Sequence, residues 1–177
     1  MNFPAPKRLP WLLLISAVLL AADRWTKTWV SKRVPIGGAI PVIDHVLRIT
    51  HWTNEGAAFS LFADSPRMNV VRWGLVCFAS LAAIVVFIAM VRLGSRITLT
   101  TIALSLILAG ALGNVHDRVI YGSVIDFIEV HVFHYHWPDF NVADSSVVVG
   151  ACLLVLESLR PRRVEAGSED RRHETTD

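Results

Sequence analysis

Nineteen consecutive residues, Trp73 to Val91, carry no charge. A helix of that length spans the apolar core of a bilayer, about 30 Å thick, and few soluble folds would bury such a segment on every side. The rest of the chain has the same character. Of its 177 residues 53% are hydrophobic and 18% charged, with a mean hydropathy of +0.48. This composition indicates an integral membrane protein and excludes an ordinary soluble domain. A formal charge of +2 does not suggest nucleic acid as a partner. Cys77 and Cys152 lie inside apolar runs, where we expect small buried hydrophobes, with no disulfide framework and no CxxC metal pattern.

Four spans are expected, over 10–31, 70–91, 97–113 and 140–159. The first begins in the uncharged run Trp11 to Ala22, which alone also resembles a signal peptide. Trp25, Lys27 and Trp29 continue it at helical spacing, with tryptophan at the depth of a membrane interface. In the third span, Ala109, Gly110 and Gly113 are small enough for another backbone to approach closely. Residues 34–69 open with Pro35, Gly37, Gly38 and Pro41, then run through a β-branched, aromatic stretch, Val42 to Trp52, expected as short strands. Residues 114–139 form a second polar segment, and 164–177 a polar tail expected to be disordered. The expected fold is an all-α membrane protein, one domain over 1–163, with a small β-rich segment between the first two helices. Even span number puts both ends on one side. Lys7/Arg8, Arg92/Arg96 and Arg160/Arg162/Arg163 then share the cytoplasmic face, against the opposing signal of Arg24, Lys27, Lys32 and Arg33.

Ionisable groups beside membrane spans are costly, and this chain concentrates them between Gly110 and Asp144. Asp126 sits in the apolar pentapeptide Val124–Ile128, where desolvation raises a carboxyl pKa. Asp144 sits in the first turn of the fourth helix, which favours the ionised form. Environments that push two carboxyls apart suit an acid–base pair acting on water and a carbonyl. Structural readings stand beside this one. Asn141 and Asp144 fit a capping box, Asp126 could pair with Arg118, and Asp117-Arg118 could be a simple helix end, or Arg118 with Asn114 could bind a polar group of a membrane-bound substrate. Asp23 and Lys27 are spaced as an intrahelical ion pair. His131, His134 and His136 are spaced as in a strand or loop, and with no acidic or cysteine ligand to complete them we read no metal site. HExxH, GxSxG and GxxxxGK[ST] are absent. A small transporter using Asp126 and Asp144 as ion sites, or an assembly protein with polar caps, are the competing classes.

Five blocks in order carry a specific resemblance. They are Asp23-Arg-Trp-Thr-Lys27, Asn54-Glu-Gly-Ala-Ala-Phe-Ser60, Gly110-Ala-Leu-Gly-Asn114-Val-His-Asp117-Arg118, Val124-Ile-Asp126-Phe-Ile128 and Trp137-Pro-Asp-Phe-Asn141-Val-Ala-Asp144-Ser145. Over roughly 10–160 the chain resembles the bacterial lipoprotein signal peptidases, signal peptidase II. Arg24 departs from the glutamine frequent there. The resemblance implies an aspartic endopeptidase of the inner membrane, four-spanning with both termini cytoplasmic and its site toward the periplasm, needing no cofactor and no metal. Asp126 and Asp144 match the catalytic aspartates. Asp23, Lys27, Asn54, Gly56, Asn114, Arg118 and Asn141 match residues that bind substrate or support the site. Its substrates would be prolipoproteins bearing diacylglycerol on the lipobox cysteine, cut just before that cysteine among the membrane lipids. Inhibition by globomycin-type cyclic peptides is implied as well. The 34–69 segment, with Gly56 and Phe59, is placed to cover the site.

Overall fold

The uncharged run forms the middle of one of four helices. The computed structural model describes residues 5–56 and 67–160. Its elements, in order, are α1 (Leu9–Arg33), β1 (Ala39–Ile43), β2 (Leu47–Asn54), α2 (Met68–Leu93), α3 (Leu99–Ile120), β3 (Val124–Val132), β4 (Tyr135–Phe140) and α4 (Val142–Ser158). By length and composition α1, α2 and α3 can cross a membrane. α4 has 17 residues, about 25 Å of helix, a little short of a full bilayer core. Phe59 and the 164–177 tail lie outside the described residues.

α3 is the central helix and packs against the other three. Its contact with α4 depends on glycine. A Cβ at Gly110 would collide with the Ala143 carbonyl and stand 2.6 Å from a Val147 methyl. A Cβ at Gly150 would lie 2.7 Å from Ile107 and 2.8 Å from the Ala103 carbonyl oxygen. Close approach through small residues is how helices associate where lipid removes the hydrophobic drive. Leu12, Ala83, Met90, Leu104 and Leu108 join α1, α2 and α3 in an apolar core, and Ser16 Oγ donates to the Ser105 carbonyl across it at 2.9 Å. α2 turns most of its apolar surface outward: Phe78 is 74% exposed. Cys77 and Cys152 are exposed as well, not buried as the sequence suggested. An apolar run intended for lipid has the same composition as one intended for a core, so composition does not tell the two apart.

Two expectations need correction. The β structure is not confined to the stretch between the first two helices: β3 and β4 come from 124–140 and complete a four-stranded antiparallel sheet in the order β1-β2-β3-β4. In its inner pairing Trp52 lies opposite Asp126 and Asn54 opposite Val124. Pro138 is accommodated because β4 is an edge strand with an irregular register against β3. Second, the third helix does not end at 113. It runs on to Ile120, so Asn114, Asp117 and Arg118 are helical residues rather than loop residues. Polar character suggested a loop, but here it marks the part of the helix facing other polar groups. The sheet is attached to the bundle by Val30 of α1 and Val34 just after its end, which pack on Phe127 with Ile49, Ile128 and Val142 around them.

Candidate active site

Where the sheet meets the bundle, Asn141 touches both aspartates. Asn141 is the N-cap of α4. Its Oδ1 accepts from the Asp144 amide at 2.9 Å, and its own amide donates to Asp144 Oδ2 at 3.3 Å. This is the capping box expected from the sequence. The side-chain nitrogen of Asn141 remains free to point the other way, and it donates to Asp126 Oδ1 at 2.7 Å and to the Ile125 carbonyl at 3.3 Å. Asp126 is delivered by β3, and Asp144 by the first turn of α4. The capping and functional readings of Asp144 therefore do not compete, because the same cap fixes the side chain that Asn141 joins to Asp126.

Each aspartate has one further amide. Asn54 Nδ2, at the end of β2, donates to Asp126 Oδ2 at 3.0 Å. Asn114 Nδ2, on α3, donates to Asp144 Oδ1 at 2.7 Å. Asn54 Oδ1 also accepts from the Gly56 amide at 3.0 Å, and Arg118 Nη2 donates to the Gly56 carbonyl at 2.7 Å. Arg118 is thus held by Gly56 backbone and not by Asp126, the partner the sequence offered. Asp126 is 4% exposed. Its pKa is pushed up to about 7, first by burial and then by the charge of Asp144. The Asn54 and Asn141 amides and Lys27 pull it down by less.

Behind this pair lies a buried ionic cluster. Lys27 Nζ lies 2.8 Å from Asp23 Oδ2 and 2.7 Å from Asp117 Oδ2, with all three side chains essentially inaccessible. Asp117 also pairs with Arg24, whose Nη1 is 2.6 Å from His116 Nδ1. Asp23 Oδ1 accepts from the Ala143 amide at 3.0 Å, so α1 caps an amide of α4 one residue before Asp144. The intrahelical pair Asp23–Lys27 exists, but it is half of a larger cluster, and Asp117 belongs to that cluster. Gly113 makes room for it: a Cβ there would lie 3.0 Å from Asp23 Oδ2. Sequence reasoning missed Arg72, whose Nε and Nη2 donate to the Arg118 and Val119 carbonyls at 2.7 and 2.9 Å and satisfy the end of α3. It also missed Glu129, which Arg48 holds from the neighbouring strand. Glu129 and His131 stand two apart in a strand, the one signal that would have joined them.

The arrangement is a pair of carboxyls joined through the side-chain and backbone N–H groups of Asn141, one of them with its pKa raised to about 7, at the junction between apolar helices and a sheet. The profile of the family described as signal peptidase (SPase) II matches residues 15–160. The lipoprotein signal peptidase of Solibacter usitatus is 41% identical over 86% of this chain and 92% of its own length. That of Geobacter sulfurreducens is 41% identical over 89% of this chain and 98% of its own. A bacterial membrane enzyme solved in meso at 1.9 Å resolution superposes with a TM-score of 0.74 at 32% identity, covering 85% of this chain and 94% of that one. The chain therefore belongs to the signal peptidase II family of bacterial lipoprotein signal peptidases.

Proposed function

We propose that this membrane peptidase is an aspartic endopeptidase, with Asp126 and Asp144 as its chemical groups, that cuts diacylglyceryl-modified prolipoproteins just before the lipidated cysteine. The observation that carries this reading is that Asn141 donates to both carboxyls, by its side-chain nitrogen to Asp126 and by its backbone N–H to Asp144. Asp126, with its pKa near 7, is the acid. Asp144, accepting from the Asn114 amide and the Asn141 backbone, is the base. Asp144 takes a proton from water as the water oxygen attacks the scissile carbonyl carbon, and Asp126 gives its proton to the carbonyl oxygen. The C–N bond then breaks as the proton on Asp144 passes to the leaving nitrogen of the cysteine. Asp126 recovers its proton as the new carboxyl of the signal peptide forms. Asn54, Asn114 and Asn141 orient the carboxyls, Asp23 and Lys27 support the start of α4, and Arg118 with Gly56 borders the space the peptide would occupy. No step calls for a metal or cofactor.

The same reading includes a single four-helix domain over 1–163, with α4 crossing the bilayer as a fourth span. Both termini face the cytoplasm, and the sheet and the aspartates face the periplasm at the inner membrane. Globomycin-type peptides would occupy the same site. Signal-peptide release from a purified, diacylglyceryl-modified prolipoprotein tests it. Asp126→Asn and Asp144→Asn should each lower release by about 10²–10⁴-fold while the protein stays folded. Near-normal cleavage by either variant would overturn the pair, and ion flux without any cleavage would favour a transporter instead.

A further inference from the structure

A second group of titratable side chains meets on β3 and β4. Alternate residues of a strand share a face, which places Glu129 and His131 together on β3. His136 of β4 is the cross-strand partner of His131. Glu129 Oε1 lies 3.3 Å from His131 Nε2 and 2.8 Å from His136 Nε2, and one ligand atom from each of the three falls within 4.8 Å of the others. Asp139 Oδ1 is 3.4 Å from His136 Nε2. The acidic ligand that the histidine string lacks in sequence is therefore supplied by Glu129, and His134 is not part of the group.

The donor atoms are arranged for more than mutual hydrogen bonding. His131 Nε2 is shielded from solvent and makes no hydrogen bond among the described residues. Glu129 Oε1 is shared between both rings while Arg48 Nη2 also donates to it at 2.6 Å. Two imidazole nitrogens and a carboxylate are a ligand set that zinc accepts, at bond lengths of about 2.0–2.2 Å. Around such a tetrahedral ion the ligand atoms stand roughly 3.4 Å apart; the spacing of Glu129 Oε1 from His131 Nε2, 3.3 Å, is close to that, while the 2.8 Å to His136 Nε2 is a hydrogen-bond length that an ion would widen. Asp139, beside the same ring nitrogen of His136, is placed to be a fourth ligand.

We infer that Glu129, His131 and His136, with Asp139 beside them, form a binding site for a zinc-class divalent ion, for which Arg48 competes by holding Glu129. The ion would fasten β3 to β4 at the outer edge of the sheet that carries Asp126. The site does not depend on the peptidase reading, because none of its ligands belongs to the Asp126–Asp144 group.

The test uses full-length protein without a polyhistidine tag, purified in detergent and stripped with chelator. Titration with Zn²⁺ by calorimetry and with Co²⁺ by visible absorption should show one ion per chain, with Co²⁺ bands of tetrahedral intensity. His131→Ala and His136→Ala should each weaken binding by about 10-fold or more, His134→Ala should not, and Arg48→Gln should tighten it. Melting temperatures of the metal-free variants report whether each is folded. If an alanine variant does not fold, X-ray absorption at the zinc edge of the wild-type complex decides, because two imidazoles must appear in the first shell. Wild-type protein that binds no Zn²⁺, binding unchanged in both alanine variants, or a first shell without imidazole overturns the proposal. Asp126→Asn should bind Zn²⁺ as the wild type does, so the loss of cleavage and the loss of metal are separable.

Discussion

Replacing Asn141 separates the helix cap from the bond that holds the Asp126 carboxyl. The residue is fully buried and its side chain makes three bonds: to the Asp144 amide, to Asp126 Oδ1 and to the Ile125 carbonyl. Asn141→Ala removes all three. Loss of the cap costs about 0.5–2 kcal/mol. The 2.7 Å bond to the Asp126 carboxyl contributes about 1.5–3 kcal/mol, and the longer bond to Ile125 adds less. Together the variant should lose about 2–5 kcal/mol of stability. Asn141→Ser keeps a cap oxygen and so recovers about 1 kcal/mol, but it has no second nitrogen to reach Asp126. Its kcat/KM for a lipidated prolipoprotein should remain about 10²-fold or more below wild type, the scale of a 1 Å misplacement in an active site. The amide donor also favours ionised Asp126, so in both variants the titration of that carboxyl, followed by its infrared C=O band, should move upward. The decisive comparison is activity against stability in Asn141→Ser. Wild-type kcat/KM in that variant would show that the side-chain bond from Asn141 does not hold Asp126 in place, and the argument would fail.

Other outcomes follow from the same geometry. Lys27→Met leaves Asp23 and Asp117 buried around an apolar side chain and should cost about 3–5 kcal/mol. Adding Asp117→Asn should restore part of it, and strict additivity of the two in chemical denaturation would refute the coupling. Gly110→Ala drives a methyl into the Ala143 carbonyl and Val147, so we expect about 1–3 kcal/mol of destabilisation and a displaced first turn of α4. Reduced melting temperature together with reduced cleavage checks it. The Asp126 carboxyl binds its proton more tightly in the folded state than in the unfolded chain. Its contribution is therefore complete below about pH 4 and is lost as pH rises through about 7. The melting temperature of wild type minus that of Asp126→Asn should fall across that window, and a flat difference would contradict the burial argument.

How much of this was legible in the sequence depends on whether the partner of a residue lies nearby in the chain. Trp73–Val91 identifies its helix without reference to anything else. The capping box at Asn141 and Asp144 is also local, and it was readable. Asp117 was not, because its partners Arg24 and Lys27 sit on another helix, more than 85 residues away by number. The end of α3 was misplaced for the same reason: Asn114, Asp117 and Arg118 look like loop residues until α1 and α4 are set against them. The strand pairing of Trp52 with Asp126 joins two segments that flank α2 and α3, and no local pattern signals it. The family blocks singled out these residues, while the contacts that hold each of them emerged only from the fold.

The pairing of Asp23 with Lys27 also bears on how the protein is built. A helix entering a bilayer with an isolated aspartate and an isolated lysine would face two separate desolvation penalties. Because the two stand one turn apart and share a bond of 2.8 Å, this pair can enter with α1 as a mutually neutralised unit before any other helix exists. Asp117 arrives later, on α3, opposite a lysine already in place and with Arg24 beside it to balance the added negative charge. The buried lysine is therefore never without a carboxylate as the helices assemble in chain order. The final docking of α4, whose Ala143 amide meets Asp23, is then the event that sets Asp144 in position.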